Sequence, residues 1–166
     1  MPCHGRAMSS HSVDDGVSHE RFGLRAGERA IDPPPPTDAG LVFIGRIRTP
    51  WATRSACPKR GSLDGPVCTL EIDPRWEAAL TGIEAHAKLQ VLYWMHEARR
   101  DLVLQNPGHA GTLVGTFALR SPVRPNPIAS SVVVLEAREG VKLRVRGLDC
   151  LDGTPLVDLK PAPGEG

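Results

Sequence analysis

Three stretches of this chain hold side chains whose types and spacing suit binding chemistry. Arg120-Ser-Pro-Val-Arg-Pro-Asn-Pro-Ile128 carries three prolines in nine residues. Proline fixes φ and removes a donor, so the loop is stiff and cannot satisfy its polar groups by turning into helix. Such a backbone can pre-organise Arg120, Ser121, Arg124 and Asn126 around an anionic or polar ligand, or it can brace a crossover whose arginines face water. Gly147-Leu-Asp-Cys-Leu-Asp-Gly-Thr-Pro155 places Asp149 and Asp152 around an Asp-Gly turn, where an aspartate more often caps its own backbone than binds a ligand. Tyr93-Trp-Met-His-Glu97 ends an apolar run in two polar side chains. His96 gains chemical interest only if the other two stretches converge on it.

These stretches need a scaffold, and the composition points to a β-rich one. Seventeen glycines and sixteen prolines in 166 residues disfavour long helices. Strands are expected over Leu41–Ile47, Val67–Ile72, Leu89–Met95, Gly111–Leu119, Ser131–Leu135, Val141–Leu148 and Leu156–Leu159. Asp73-Pro74 predicts an N-cap and a short helix over Arg75–Leu80 that stops at Gly82. The predicted fold class is mainly β, a barrel or strongly curved sheet with minor helical elements, folding as one domain over residues 41–163.

Residues 1–40 differ in character. They hold the tetraproline Pro33–Pro36, four serines, three histidines, and four arginines against six acidic residues. The segment lacks the apolar run of a secretory signal and is expected to be a disordered arm. The whole chain carries +1 and the arm −2, leaving +3 for the core, so bulk charge does not advertise polyanion binding. No run of 18 apolar residues exists, which argues against a membrane-spanning helix. Cys3, Cys57, Cys68 and Cys150 form no C-x-x-C pair, so no metal site is expected and a reducing cytoplasm fits. Dinucleotide-binding, P-loop, H-E-x-x-H and G-x-S-x-G signatures are absent.

Taken in order, several blocks carry a family resemblance. They are Ile44-Gly-Arg-Ile-Arg-Thr-Pro50, the Pro58–Gly61 turn, His96, Gly115-Thr-Phe-Ala-Leu-Arg-Ser-Pro122, Arg124-Pro-Asn-Pro-Ile128 and Leu151-Asp-Gly-Thr-Pro-Leu-Val-Asp-Leu-Lys-Pro161. Together they resemble the TsaA-like (TrmO-type) methyltransferases, over about Leu41 to Pro161. The resemblance implies a β-barrel-like homodimer that binds S-adenosylmethionine near the subunit interface. It also implies methylation of the exocyclic amine of threonylcarbamoyl-adenosine beside the tRNA anticodon. Carried over by position, the cofactor contacts would be Gly61, Ser62, His96, Glu97, Arg120, Ser130, Arg146, Gly147, Leu148 and Asp149. Arg124, Asn126 and Asp152 would serve the substrate or the interface, and His96 is the candidate general base.

The chain departs from the family pattern in four places. Leu104-Gln-Asn-Pro107 stands where a basic V-R-P-P-R-like stretch is usual, and Ala129-Ser130 replaces a glycine and a bulky residue. Lys160-Pro-Ala162 lacks the family's final aromatic. The chain reaches Gly166 without the smaller C-terminal domain of longer members, so a short single-domain form is expected. These departures leave two alternatives open: methylation of a small metabolite, or a non-catalytic module that binds the cofactor or RNA.

Overall fold

The computed structural model describes residues 23–35, 39–109 and 111–164. Nine strands are found among them: β1 (Arg29–Ala30), β2 (Gly45–Arg48), β3 (Cys68–Ile72), β4 (Lys88–Trp94), β5 (Leu102–Gln105), β6 (Val114–Gly115), β7 (Ile128–Glu139), β8 (Lys142–Arg146) and β9 (Thr154–Pro161). Six of them close an antiparallel barrel in the order β2-β3-β8-β7-β4-β9. Every wall strand alternates, so one set of side chains points inward. That set includes Ile47, Leu70, Leu89, Val91, Val133, Leu143, Val145 and Leu156, all at most 1% exposed. Closure removes the free edges that a six-stranded open sheet would leave.

The antiparallel order sorts the connections between two ends. At one end lie the β7–β8 hairpin and the β3–β4 link, which runs through 3-10 turns at Pro74–Leu80 and Ile83–Ala85. At the other end lie the three long connections, residues 49–67, 95–127 and 147–153, and every candidate site residue belongs to these or to the strand ends that enter them. Two strands of the second connection, β5 and β6, join β1 in a small sheet, β1-β5-β6, outside the barrel.

Local differences from the sequence expectation have physical causes. The helix expected over Arg75–Leu80 is a 3-10 helix starting at Pro74, capped by the Asp73 carboxylate on the Arg75 N–H at 3.0 Å. Seven residues are too few to repay α-helix nucleation. The strand expected over Gly111–Leu119 shrinks to Val114–Gly115, followed by a 3-10 turn at Thr116–Ala118. There the Thr116 hydroxyl donates to the Leu102 carbonyl at 2.7 Å and the Arg124 guanidinium donates to the carbonyls of Thr116 and Leu119, which bends the chain. β7 runs well past the expected Ser131–Leu135, because a register shift between Leu135 and Ala137 lets it keep pairing with β8 down to the hairpin.

Part of the segment read as a disordered arm is ordered. Arg29 and Ala30 pair with Leu104 and Leu102 of β5, and the Ile31 N–H donates to the Asp101 carbonyl at 2.9 Å. Asn106, 5% exposed, is the clasp. Its carbonyl accepts from Arg25, its N–H donates to Glu28 and its amide donates to the Ala26 carbonyl. Polar side-chain bonds of this kind escape a reading based on composition. The rest of the expected arm, residues 1–22 and 36–38, lies outside the described residues.

Candidate functional site at the looped end of the barrel

The firmest convergence joins the first and third long connections. Gly61 lies so close to Gly147 that a Cβ on Gly61 would sit 1.8 Å from the Gly147 carbonyl oxygen. Gly147 has φ +119, and a Cβ there would meet the Val132 carbonyl oxygen at 2.8 Å. Glycines at both positions are therefore the condition for laying the 49–67 loop on the exit of β8. Arg146 locks the same junction, donating to the Gly65 carbonyl at 2.5 Å and pairing with Glu136. Ser62 sits in the turn that follows, where its carbonyl accepts from the Gly65 N–H at 2.8 Å. Leu148, 2% exposed, anchors the strand exit in the core.

Asp149 is held from β4, two strands along the wall from β8. Alternation along β4 puts Leu89, Val91 and Tyr93 inside the barrel. The Tyr93 hydroxyl reaches the looped end and donates to Asp149 Oδ1 at 2.8 Å, with the Ser131 hydroxyl 2.9 Å away. Burial raises the Tyr93 phenol well above its ordinary pKa; the Ser131 hydroxyl opposes the shift and Asp149 adds to it. Tyr93 therefore stays protonated and donates, leaving the second Asp149 oxygen for a ligand hydroxyl or ammonium. Cys57 reports the neighbourhood: burial raises its thiol pKa, the carboxylates of Asp149 and Glu97 raise it further, and Arg54 opposes them. These charges thus gather from all three long connections.

The proline loop is fastened to the end of β4. The Met95 N–H donates to the Pro127 carbonyl at 2.8 Å, and Arg100 donates to the Pro125 carbonyl at 2.6 Å while its guanidinium lies 5.4 Å from the centre of the Trp94 ring. His96 and Glu97 are exposed just beyond, where the His96 N–H closes a tight turn on the Trp94 carbonyl.

Other candidates are placed differently. Ser130 accepts from the Gln90 amide at 2.9 Å on the outer face of the β4–β7 wall, so its neighbour Ser131 is the serine that meets the Tyr93 hydroxyl. Arg124 spends its guanidinium on the carbonyls of Thr116 and Leu119. Asp152 accepts the Thr49 N–H at 3.1 Å and lies 3.5 Å from Arg48, zipping the exit of β2 to the β8–β9 loop. Asn126 and Arg120 are exposed, and among the described residues no hydrogen bond or ion pair joins Arg120 to Asp149. Sequence reasoning missed Tyr93, Ser131 and Cys57. Tyr93 left a usable signal: it is the chain's only tyrosine, at an inward register, and a buried phenol needs a partner.

A cavity of about 160 Å³ adjoins this end, lined by residues that include Arg25, Arg54, Arg99, Gln105 and Ser121. Among the described residues no group of three or more His, Cys, Asp or Glu side chains could hold a metal. No helix among them is long and apolar enough to cross a membrane.

The chain and its fold have relatives among known proteins. The tRNA-methyltransferase O N-terminal domain family matches residues 46–163. The chain belongs to this family. A Rhizobium radiobacter relative, the probable S-adenosyl-L-methionine-binding protein VirR, is 54% identical over 138 residues, covering 83% of this chain and 79% of the relative. A putative S-adenosylmethionine-dependent methyltransferase of Pseudomonas aeruginosa, RcsF, is 38% identical over 126 residues, covering 71% of this chain and 54% of its own length. A crystal structure of TrmO superposes with a TM-score of 0.66 at 33% identity, covering 77% of this chain and 61% of the TrmO chain. The TrmO-type barrel expected from the blocks is therefore the fold observed, and this chain spans about three fifths of the solved relative.

Proposed function

We propose that this TrmO-type domain is an S-adenosylmethionine-dependent methyltransferase whose acceptor is the N6 amine of threonylcarbamoyl-adenosine in tRNA. The observation that carries the reading is the glycine junction that sets Arg146–Asp149 beside the 49–67 loop, with Asp149 aimed by Tyr93. Membership of the family and the names of its relatives support the cofactor. The residues suit it. Two glycines bring backbone against backbone where side chains would fill the space, and a half-buried carboxylate keeps one oxygen available.

When bound, S-adenosylmethionine supplies a methyl group on a positively charged sulfur. This chain's work is alignment, since an in-line displacement depends on holding nitrogen, methyl and sulfur on one axis. Asp149 takes a ribose hydroxyl or the ammonium group, and Tyr93 fixes its rotamer. Arg120 takes the carboxylate. As the N–C bond forms and the methyl–sulfur bond breaks, the acceptor nitrogen gives up its proton, and the residue assigned to take it is His96, in the turn beyond β4.

A second copy of the chain completes the site. The adjoining cavity is below the ~300 Å³ at which ligand pockets begin. The outer face of the β4–β7 wall, next to Ser130, leaves Ile128 39% and Val132 43% exposed, with Leu63 of the glycine-junction loop at 44%. Apolar exposure grouped in this way suits an isologous contact. Dilution below the dimer constant then abolishes cofactor binding and activity together; a monomer with full affinity refutes the shared site.

Nucleoside mass spectrometry of tRNA from a deletion strain tests the acceptor. Loss of methylated threonylcarbamoyl-adenosine is expected. An unchanged profile beside intact cofactor binding redirects the reading to a small-molecule acceptor.

A further inference from the structure

The Thr116–Ala118 turn displays a large aromatic side chain to solvent on a backbone that is tied down on every side. Phe117 is 84% exposed, the most of any large hydrophobic residue among those described. Its neighbour Thr116 is 3% exposed, with its hydroxyl shared between the Gln105 amide at 2.9 Å and the Leu102 carbonyl at 2.7 Å. Arg124 grips the carbonyls at both ends of the turn, at 3.2 Å and 2.8 Å. A lone exposed apolar residue on a loose loop needs no explanation. A phenyl ring fixed in the open by four side-chain bonds is a different case, because the ring meets a ligand without first losing backbone freedom.

The setting selects the ligand. Residues 111–127 carry Arg120 and Arg124 and no Asp or Glu, so the ring's own segment has a net positive charge. A second copy would bring like charge to like charge here, and the apolar β4–β7 face already offers it a seat. An exposed aromatic gives the base of an unpaired nucleotide a flat face, and a segment without carboxylates does not repel its phosphate.

We propose that Phe117 is a stacking platform for an unpaired base of the acceptor RNA. The assignment rests on the RNA acceptor proposed above and adds a binding contact separate from the cofactor residues.

The test measures binding of a fluorescein-labelled anticodon stem-loop containing threonylcarbamoyl-adenosine by anisotropy, for the wild-type chain and for Phe117→Ala, Phe117→Leu and Phe117→Trp. Calorimetric titration with S-adenosylmethionine and sedimentation velocity accompany each variant. The expected result is an affinity loss of about tenfold or more for Ala and Leu, and retained affinity for Trp. Cofactor affinity and particle mass stay at wild-type values throughout. Wild-type-like RNA binding by Phe117→Leu overturns stacking while leaving the RNA acceptor standing. A changed particle mass for Phe117→Ala overturns it in favour of a subunit contact. A wild-type chain that does not bind the stem-loop removes the RNA acceptor, and the platform with it.

Discussion

The two ends of the barrel are built from the same six strands and differ in what the strands are joined by. At the short end, a capped 3-10 helix drops Leu80, 3% exposed, against the core, and Arg138 ties the Leu80 carbonyl and Glu84 to the long strand β7. At the long end, three connections of seven to thirty-three residues meet over Asp149, Tyr93 and the glycine junction. Short links close one end with a buried leucine and an arginine clasp, and the candidate site residues lie where the links are long. A closed wall lets one end be elaborated without disturbing the other, which is how loops on rigid scaffolds come to carry function. The contrast is breakable, because each end offers variants that should move one property and spare the other.

The largest effect belongs to the short end. Leu80→Ala removes a buried side chain that fills the barrel base, and unfolding in urea should show a loss of about 2–5 kcal/mol. Cofactor affinity of the folded fraction should be unchanged by calorimetry. A fall in affinity matching the fall in stability would erase the distinction between the ends. Gly61→Ala comes next, at the long end. Its new methyl meets the Gly147 carbonyl oxygen, which is backbone and has little room to give, so the 49–67 loop must lift away. The stability cost should be about 1–3 kcal/mol, the usual range for overpacking. S-adenosylmethionine binding should be lost with it. For comparison, Gly82→Ala at the short end meets nothing within 4 Å and strains only its φ of +83, so it should leave cofactor binding intact.

Tyr93→Phe sharpens the comparison more gently. It deletes the hydroxyl that aims Asp149 and keeps the ring in the core. A loss near 1 kcal/mol in stability is expected, as for a single hydrogen bond to a half-buried group. The cofactor affinity should fall more than the stability does, because Asp149 keeps its charge and loses its direction. Equal affinity for wild type and Tyr93→Phe, by calorimetry, would detach Asp149 from the site.

How legible these ends were in the sequence follows from the range of the forces involved. The barrel wall was readable because alternation is local: Cys68-Thr-Leu-Glu-Ile72 shows its inward face in five residues. The cap at Asp73-Pro74 was readable for the same reason. The glycine pair Gly61 and Gly147 was flagged only through family resemblance, since nothing near either residue announces a contact 86 positions away. Arg124 suits a ligand by type and loop position, whereas the Asp-Gly turn makes backbone capping the commoner role for Asp152. In the fold, backbone carbonyls claim the first and a backbone N–H claims the second. Ordering of Arg29–Ala30 was hidden because its fastening depends on Asn106, which lies in a stretch noted only for what it lacked.

The smallest effect is also at the short end and is best read as a pH dependence. Arg75 clasps the Asp73 carboxylate through its guanidinium and its own N–H, which holds the Asp73 pKa at about 2 against an ordinary 3.8. A pKa depressed on folding means that the charged form stabilises the folded chain. The contribution is whole above about pH 4 and drains away as pH falls toward 2. In Asp73→Asn the guanidinium loses its ionic partner while the side-chain oxygen still caps the Arg75 N–H, so only the charge-dependent part is removed. Wild type should therefore exceed Asp73→Asn in melting temperature at pH 7, by an amount that shrinks on acidification and closes near pH 2. Both carboxylate and guanidinium meet solvent, so added salt should narrow the gap at pH 7 as well. Because the pair lies at the short end, methyl transfer at neutral pH should be the same in both proteins; a difference in rate would mean that the two ends communicate through the wall.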